Sequence, residues 1–183
     1  MMKKRYASLW FRHLKTDWMT VCKPHLQEVP FVLALAVHGK LIVNASNLLA
    51  EQSGVHVGMA IADARAFIPS LHIIHEQAGL DEKILHFIAH WCIRYTPQVS
   101  LDKPDGIILD ISGWAHLWGG EAAYLEYIVA AFKRHGYDVC MSIADTIGAA
   151  WAMARFGNEK TIISEQAQSE ELLSLSPAAL RLE

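Results

Sequence analysis

The ten residues PDGIILDISG, at positions 104–113, decide how the rest of the chain is read. Pro-Asp-Gly is a strong turn signal, because proline presets φ and glycine takes conformations that other residues avoid. The run that follows, GIILD, is apolar and reads as a strand buried on both faces. It has one carboxylate at its start, Asp105, and another near its end, Asp110. A carboxylate buried alone is expensive, so such a group is paired, protonated or bound to metal. Asp105 is therefore read first as a turn residue and second as a remnant of a cation site. Asp110 reads as a hydrogen-bonded structural carboxylate.

Outward from this strand the chain alternates. Residues 6–11 (YASLWF), 31–37 (FVLALAV), 40–45 (KLIVNA), 71–75 (LHIIH) and 138–143 (DVCMSI) carry the β-branched and apolar runs of strands, and His38-Gly39 marks a tight hairpin. Residues 80–95 repeat Ile84, Ile88, Trp91, Cys92 and Tyr95 at helical spacing, and Pro97 closes the run. Residues 121–135 repeat Leu125, Ile128, Val129 and Phe132, with Gly136 beyond the end. A third helix starts after Asp145 or Thr146 and stops at Gly157, and a shorter one covers residues 60–67. The order predicts an α/β (α+β) fold, a mixed β-sheet covered by helices.

Composition narrows the function classes. At 183 residues the chain has room for about one domain with a small insertion. The 16 basic and 19 acidic side chains leave a net charge of -3, without the basic excess of a free-standing nucleic-acid binder. Three widely spaced cysteines, Cys22, Cys92 and Cys140, form no CxxC pair, which suits a reducing, cytosolic compartment better than a disulfide framework. No apolar run reaches membrane-spanning length, and the start MMKKRYASLWFRHLK lacks the apolar core of a signal peptide. The closing residues, LSPAALRLE, begin an apolar pattern that then stops, as a chain cut short would.

Several residue sets were weighed for chemistry. His86 and His90, four apart on one helix, and His72 and His75 on a nearby strand suggest zinc, but the glutamate of a zinc-protease motif is missing and a solvated helix face explains them better. Lys3, Lys4, Arg5, Arg12, His13 and Lys15 form a terminal basic cluster, either a phosphate contact or a solvated charge run. Trp114 and Trp118 lie in a Gly-rich connection, where an aromatic partner surface competes with simple core filling. There is no GxSxG elbow and no Gly-rich phosphate loop, so an unrelated hydrolase finds no support.

Taken in order, VNASNLLAEQSGVHVGMAIADARAFIPSLHII, YTPQVSLDKPDGIILDISG and SIADTIGAAWAMARFG resemble the palm and fingers of Y-family translesion DNA polymerases. The specific parts are Gly54-Val55, Gly58-Met59 and Ala64 before Pro69, the Tyr95-Thr96-Pro97 turn, and the strand Leu109 to Gly113. The resemblance implies a palm from residues 1–30 and 70–183 and a fingers insertion at 31–69, with thumb and little-finger domains absent.

That family works with two magnesium ions held by carboxylates, and here the resemblance implies losses. Leu9 and Phe11 stand at positions where the first strand is expected to carry its aspartate, with Trp10 between them, and Gly106 replaces the glutamate of an Asp-Glu pair. Asp105 alone is left as a residual metal position. Leu48 and Glu51 stand for a tyrosine and an arginine near the triphosphate, and Trp151 for a lysine. ASLWF, GWAHLWGGE and GAAWAMAR are similar to an ImuB-type, catalytically silent subgroup.

The resemblance then implies a cytoplasmic, nucleoid-associated bacterial adaptor without a cofactor. Its partners would be an error-prone C-family DNA polymerase, a sliding clamp and a RecA-like accessory protein, with weak DNA contacts and no membrane. Two alternatives stand beside it. One is an active nucleotidyltransferase holding Mg2+ on Asp102, Asp105 and Asp110, although strand parity points Asp105 and Asp110 to opposite faces. The other is an inert fragment.

Overall fold

The computed structural model describes residues 4–164, 168–173 and 175–180. The chain divides into two compact units, one formed by the segments before His13 and after Ile84, the other by His13–Ile84.

The first unit is built on a five-stranded sheet. Its strands are β1 (Tyr6–Phe11), β5 (Val99–Asp102), β6 (Gly106–Asp110), β7 (Val139–Ala144) and β8 (Lys160–Ile162), in the order β5-β6-β1-β7-β8. All neighbours are antiparallel except β7 and β8, which run parallel because helix α6 (Ile147–Phe156) crosses between them.

Alternation along the strands gives the sheet two chemically different faces. Ala7, Leu9, Phe11, Ile107, Leu109, Met141 and Ile143 are fully buried on one. This layer packs under α5 (Glu121–Arg134), whose Tyr124, Leu125, Ile128, Val129 and Phe132 point inward. Phe11 meets Phe132 edge to face, with ring centroids 5.0 Å apart. The second half of α4 (Leu80–Cys92) contributes Leu85, Ile88 and Cys92 to the unit's core.

The other face carries Tyr6, Ser8 and Trp10 with Gly106, Ile108, Asp110, Cys140 and Ser142 in register, and α6 lies over it. Helix α6 can approach closely because its buried side is mostly alanine, at 149, 150, 152 and 154. Ser142 Oγ donates to the Ala150 carbonyl at 2.5 Å. Thr146 caps the helix, its hydroxyl accepting from Ala149 N at 3.2 Å.

The second unit holds a three-stranded sheet ordered β3-β2-β4, from β2 (Phe31–Val37), β3 (Lys40–Ser46) and β4 (His72–His75). His38 and Gly39, both at positive φ, make the two-residue hairpin expected between β2 and β3. Strand β2 is buried on both sides. Val32 and Ala34 pack with Val43, Ala50, Val55, Ile61 and Ala64, while Phe31 and Leu33 pack with Leu26 and Met19. The helices are α1 (Leu14–Cys22), α2 (Leu48–Gln52) and α3 (Ile61–Phe67).

The compact division falls outside the sequence-drawn insertion at 31–69. Helix α1 places Met19 against Phe31 and Leu33, and β4 pairs with β2 along its length, so both pack with this unit. The closing segment contributes α7 (Gln168–Leu173) and a 3-10 turn at Pro177–Leu180; residues 181–183, the last of the LSPAALRLE stretch, lie outside the described residues. No helix among the described residues is long and apolar enough to cross a membrane.

Candidate functional site

The turn at 103–105 joins β5 to β6, and Asp102 sits opposite Gly106 at its base. Asp105 turns its carboxylate toward the α6 face of the sheet. Its Oδ1 accepts from Arg155 Nη2 at 2.7 Å and its Oδ2 from the Trp10 indole Nε1 at 3.0 Å. Its backbone carbonyl accepts from Phe11 N at 2.9 Å, which fixes the turn against β1. Arg155, from the last turn of α6, also reaches Asp102, with Nη2 3.0 Å from Oδ2. The guanidinium lies over the Trp151 ring at 4.6 Å, one helical turn earlier, and within 6.0 Å of the Trp10 ring.

Gly106 is part of the same arrangement. A Cβ built there would stand 2.9 Å from Asp102 Oδ2 and 3.0 Å from Arg155 Nη2. The space a side chain at 106 would enter is thus filled by the arginine and its partner. Leu9 and Phe11 point to the opposite, apolar face, and Trp10 is the β1 side chain that meets Asp105.

The structure corrects the parity argument for Asp105 and Asp110. Both carboxylates lie on the α6 side, because Asp105 belongs to the turn and not to the strand, where alternation would apply. They still do not converge, since they stand at opposite ends of β6. Asp110 accepts from Ser112 N at 2.9 Å and from Lys4 Nζ at 3.0 Å. Burial pushes its carboxyl up, and the hydrogen bonds from Ser112 and Lys4 outweigh that and hold it below the usual aspartate range.

The described members of the terminal basic cluster face carboxylates: Lys4 pairs with Asp110 and His13 stands 3.7 Å from Glu51, while Lys3 lies outside the described residues. Arg5 is buried and grips both oxygens of Glu121, at 2.7 and 2.5 Å, while its Nη1 donates to Asp145 at 2.7 Å and to the Ile163 carbonyl at 2.9 Å. Arg12 stands 3.8 Å from Asp138, and Lys15, in the second unit, pairs with Glu76 at 2.6 Å. In that unit Glu51 accepts from Ser46 Oγ at 2.9 Å and Leu48 is exposed. The histidines gather no metal set: among the described residues, no group of three or more His, Cys, Asp or Glu is placed to hold an ion.

Trp114 and Trp118 fall on either side of a short 3-10 helix, Ala115–Trp118, and line one cleft of about 470 Å³. Trp118 is fixed by ring contacts to Tyr95 at 5.5 Å and Tyr127 at 4.9 Å. Trp114, Leu117 and Ile93 remain exposed at its edge.

Sequence reasoning passed over Arg155 and the pairing role of Arg5. The available signal for Arg155 was its i+4 spacing from Trp151 on the helix expected to stop at Gly157.

A mixed sheet with helices on both faces, carrying a carboxylate turn beside its first strand, is the palm architecture of Y-family polymerases. The solved structures agree in fold. The post-insertion binary complex of Dbh DNA polymerase superposes with a TM-score of 0.76 at 17% identity, covering 96% of this chain and 52% of that one. DinB from Sulfolobus solfataricus gives 0.67 at 17% identity over 89% of this chain and 49% of its own.

The chain belongs to the impB/mucB/samB family (IMS), whose model matches residues 9–155. It is 43% identical over 129 residues to Protein ImuB of Caulobacter vibrioides strain NA1000 / CB15N, and equally to that of strain ATCC 19089 / CIP 103742 / CB 15. The match takes in 70% of this chain and 28% of each relative, so the chain spans well under half their length.

The magnesium ions of this fold family do not fit the corner. A hard cation needs several free oxygen ligands. Here both Asp105 oxygens already accept hydrogen bonds, Asp102 faces Arg155, position 106 has no room for a carboxylate, and the β1 neighbour is an indole. The fixed cation of the corner is a guanidinium.

Proposed function

We propose that this chain is the palm and fingers part of a non-catalytic Y-family relative that serves as an adaptor in damage-induced translesion synthesis and mutagenesis. The observation that carries the reading is Arg155, bridging Asp102 and Asp105 in the space a metal-binding side chain at position 106 would need. A cation supplied by the chain offsets part of the charge of Asp102 and Asp105 permanently, so less is left there to recruit an ion.

The positions expected to contact a triphosphate carry a stacked tryptophan at 151, a carboxylate at 51 and an exposed leucine at 48. None supplies a cation for phosphate. Protein contacts, with at most weak DNA contacts, then carry the role. By family resemblance the partners are an error-prone C-family DNA polymerase, a sliding clamp and a RecA-like accessory protein, in the bacterial cytoplasm at the nucleoid. The Trp114 and Trp118 cleft is the partner surface this reading favours.

The test is magnesium-dependent incorporation of nucleotides on a primed template by the chain and by its Asp105→Ala variant. The expected outcome is no incorporation by either. Incorporation that disappears in Asp105→Ala would make the chain an enzyme and end the adaptor reading.

A further inference from the structure

The described arginines of the sheet-bearing unit fall into two groups. Arg5, Arg12 and Arg155 each face a carboxylate. Arg94 and Arg134 do not: among the described residues their hydrogen bonds go to backbone carbonyls, Arg94 Nε to Trp91 O at 3.0 Å and Arg134 Nε to Ala130 O at 3.4 Å. Arg94 is further held by stacking, its guanidinium 4.7 Å from the Trp91 ring centroid.

Both guanidiniums act on one place. Burial pushes the Tyr95 hydroxyl up to about 12, and Arg94 and Arg134 are the two cations that pull against it. Tyr95 and Arg94 line the cleft of about 470 Å³ that Trp114, Leu117 and Trp118 complete, and Arg94 is the single charged side chain in its lining. At the edge Leu117 is 65% exposed and Ile93 52% exposed. An apolar cleft with one guanidinium in its lining that meets no carboxylate among the described residues is complementary to an apolar segment that brings its own negative charge.

We infer that the cleft between Tyr95 and the Trp114–Trp118 turn is a docking site for an acidic, aromatic- or leucine-bearing segment of a partner protein. Its apolar side chain enters beside Trp118 and Leu117, and its carboxylate meets Arg94. A protein segment fits better than a nucleic acid, because a phosphate backbone calls for cations at successive intervals and this cleft offers an apolar floor with one guanidinium. The inference rests on the adaptor reading, since it names the class of partner such a protein would hold.

Selection of random dodecapeptides displayed on phage against the 183-residue chain tests it. Enriched peptides should combine an aromatic or leucine residue with aspartate or glutamate. The variant Arg94→Glu should weaken them on the order of tenfold or more, and Leu117→Asp should weaken them too. Both side chains are surface groups, and matching thermal melts will show that the fold is retained. Absence of enrichment, peptides without acidic bias, or equal affinity for Arg94→Glu would overturn the site. Displacement of the peptides by oligodeoxythymidylate at comparable affinity would also overturn it, assigning the face to nucleic acid. Nucleotide incorporation is not read in this experiment, so the docking site and the non-catalytic reading can fail separately.

Discussion

Arg155 organises more of this protein's chemistry than any residue that the family resemblance brought forward. Its guanidinium is nearly buried between Asp102 and Asp105 and sandwiched near two indoles, so deleting the charge takes an ion-pair partner from the buried Asp102 carboxylate. Arg155→Met, which keeps most of the side-chain volume, should cost about 3 kcal/mol of stability in urea unfolding. Asp110 gives a second residue-scale expectation. Because its folded carboxyl lies below the usual range, its contribution is complete above the unfolded value of about 3.9 and disappears as pH falls through that value and the folded one. The stability gap between the parent chain and Asp110→Asn should therefore be widest near neutrality and close in acid, as read by denaturant titrations at stepped pH. Little of this was legible beforehand. The sequence marks Asp105 as a turn residue, but the role of Arg155 depends on a helix crossing the sheet 50 positions later.

At the scale of elements, apolar runs and helical repeats were readable even where short, as in β4 and the helix at 61–67. β1 and β2 follow from their aromatic and apolar runs, and the helices at 121–134 and 147–156 from helical repeats, the second with its Thr146 cap. β5 and β8 escaped because VSLD and KTI are only four and three residues long, and they exist through pairing with β6 and β7. Helix α1 has no side-chain cap and opens after His13, so its start carried no local signal. α2 is only five residues, held by Asn47, whose side chain accepts from Ala50 N. The cap of α6 offers a direct check on what positions Arg155. Thr146→Ala should lower stability by about 1 kcal/mol and loosen the helix that carries the guanidinium, a change visible as faster amide exchange in residues 147–150.

For the whole molecule, the palm-type fold carries an internal ion pair, Arg155 with Asp102 and Asp105, where the proposed loss of a cation site falls. Two-faced burial of the sheet holds this fold together. The Leu9 and Phe11 side lies in an apolar layer sealed by α5, while the Trp10 side is closed by an alanine-faced helix and the Arg155 corner. Neither face depends on a metal for its packing. The architecture, α/β with a mixed sheet under helices, follows from the sequence because patterning sets layers; Leu9, Phe11 and Gly106 are legible there as departures from the family resemblance, whereas Arg155 in the space beside Gly106 is seen only in the fold. The most direct measurement is a Mn2+ titration followed through the Trp10 indole N–H resonance, which reports from 3.0 Å away on Asp105. We expect that resonance to broaden no more than those of indoles remote from the corner, with Arg155→Met leaving the resonance in place. Selective loss of the Trp10 signal at low Mn2+, restored by magnesium, would mean that the corner binds a divalent ion and would contradict the account.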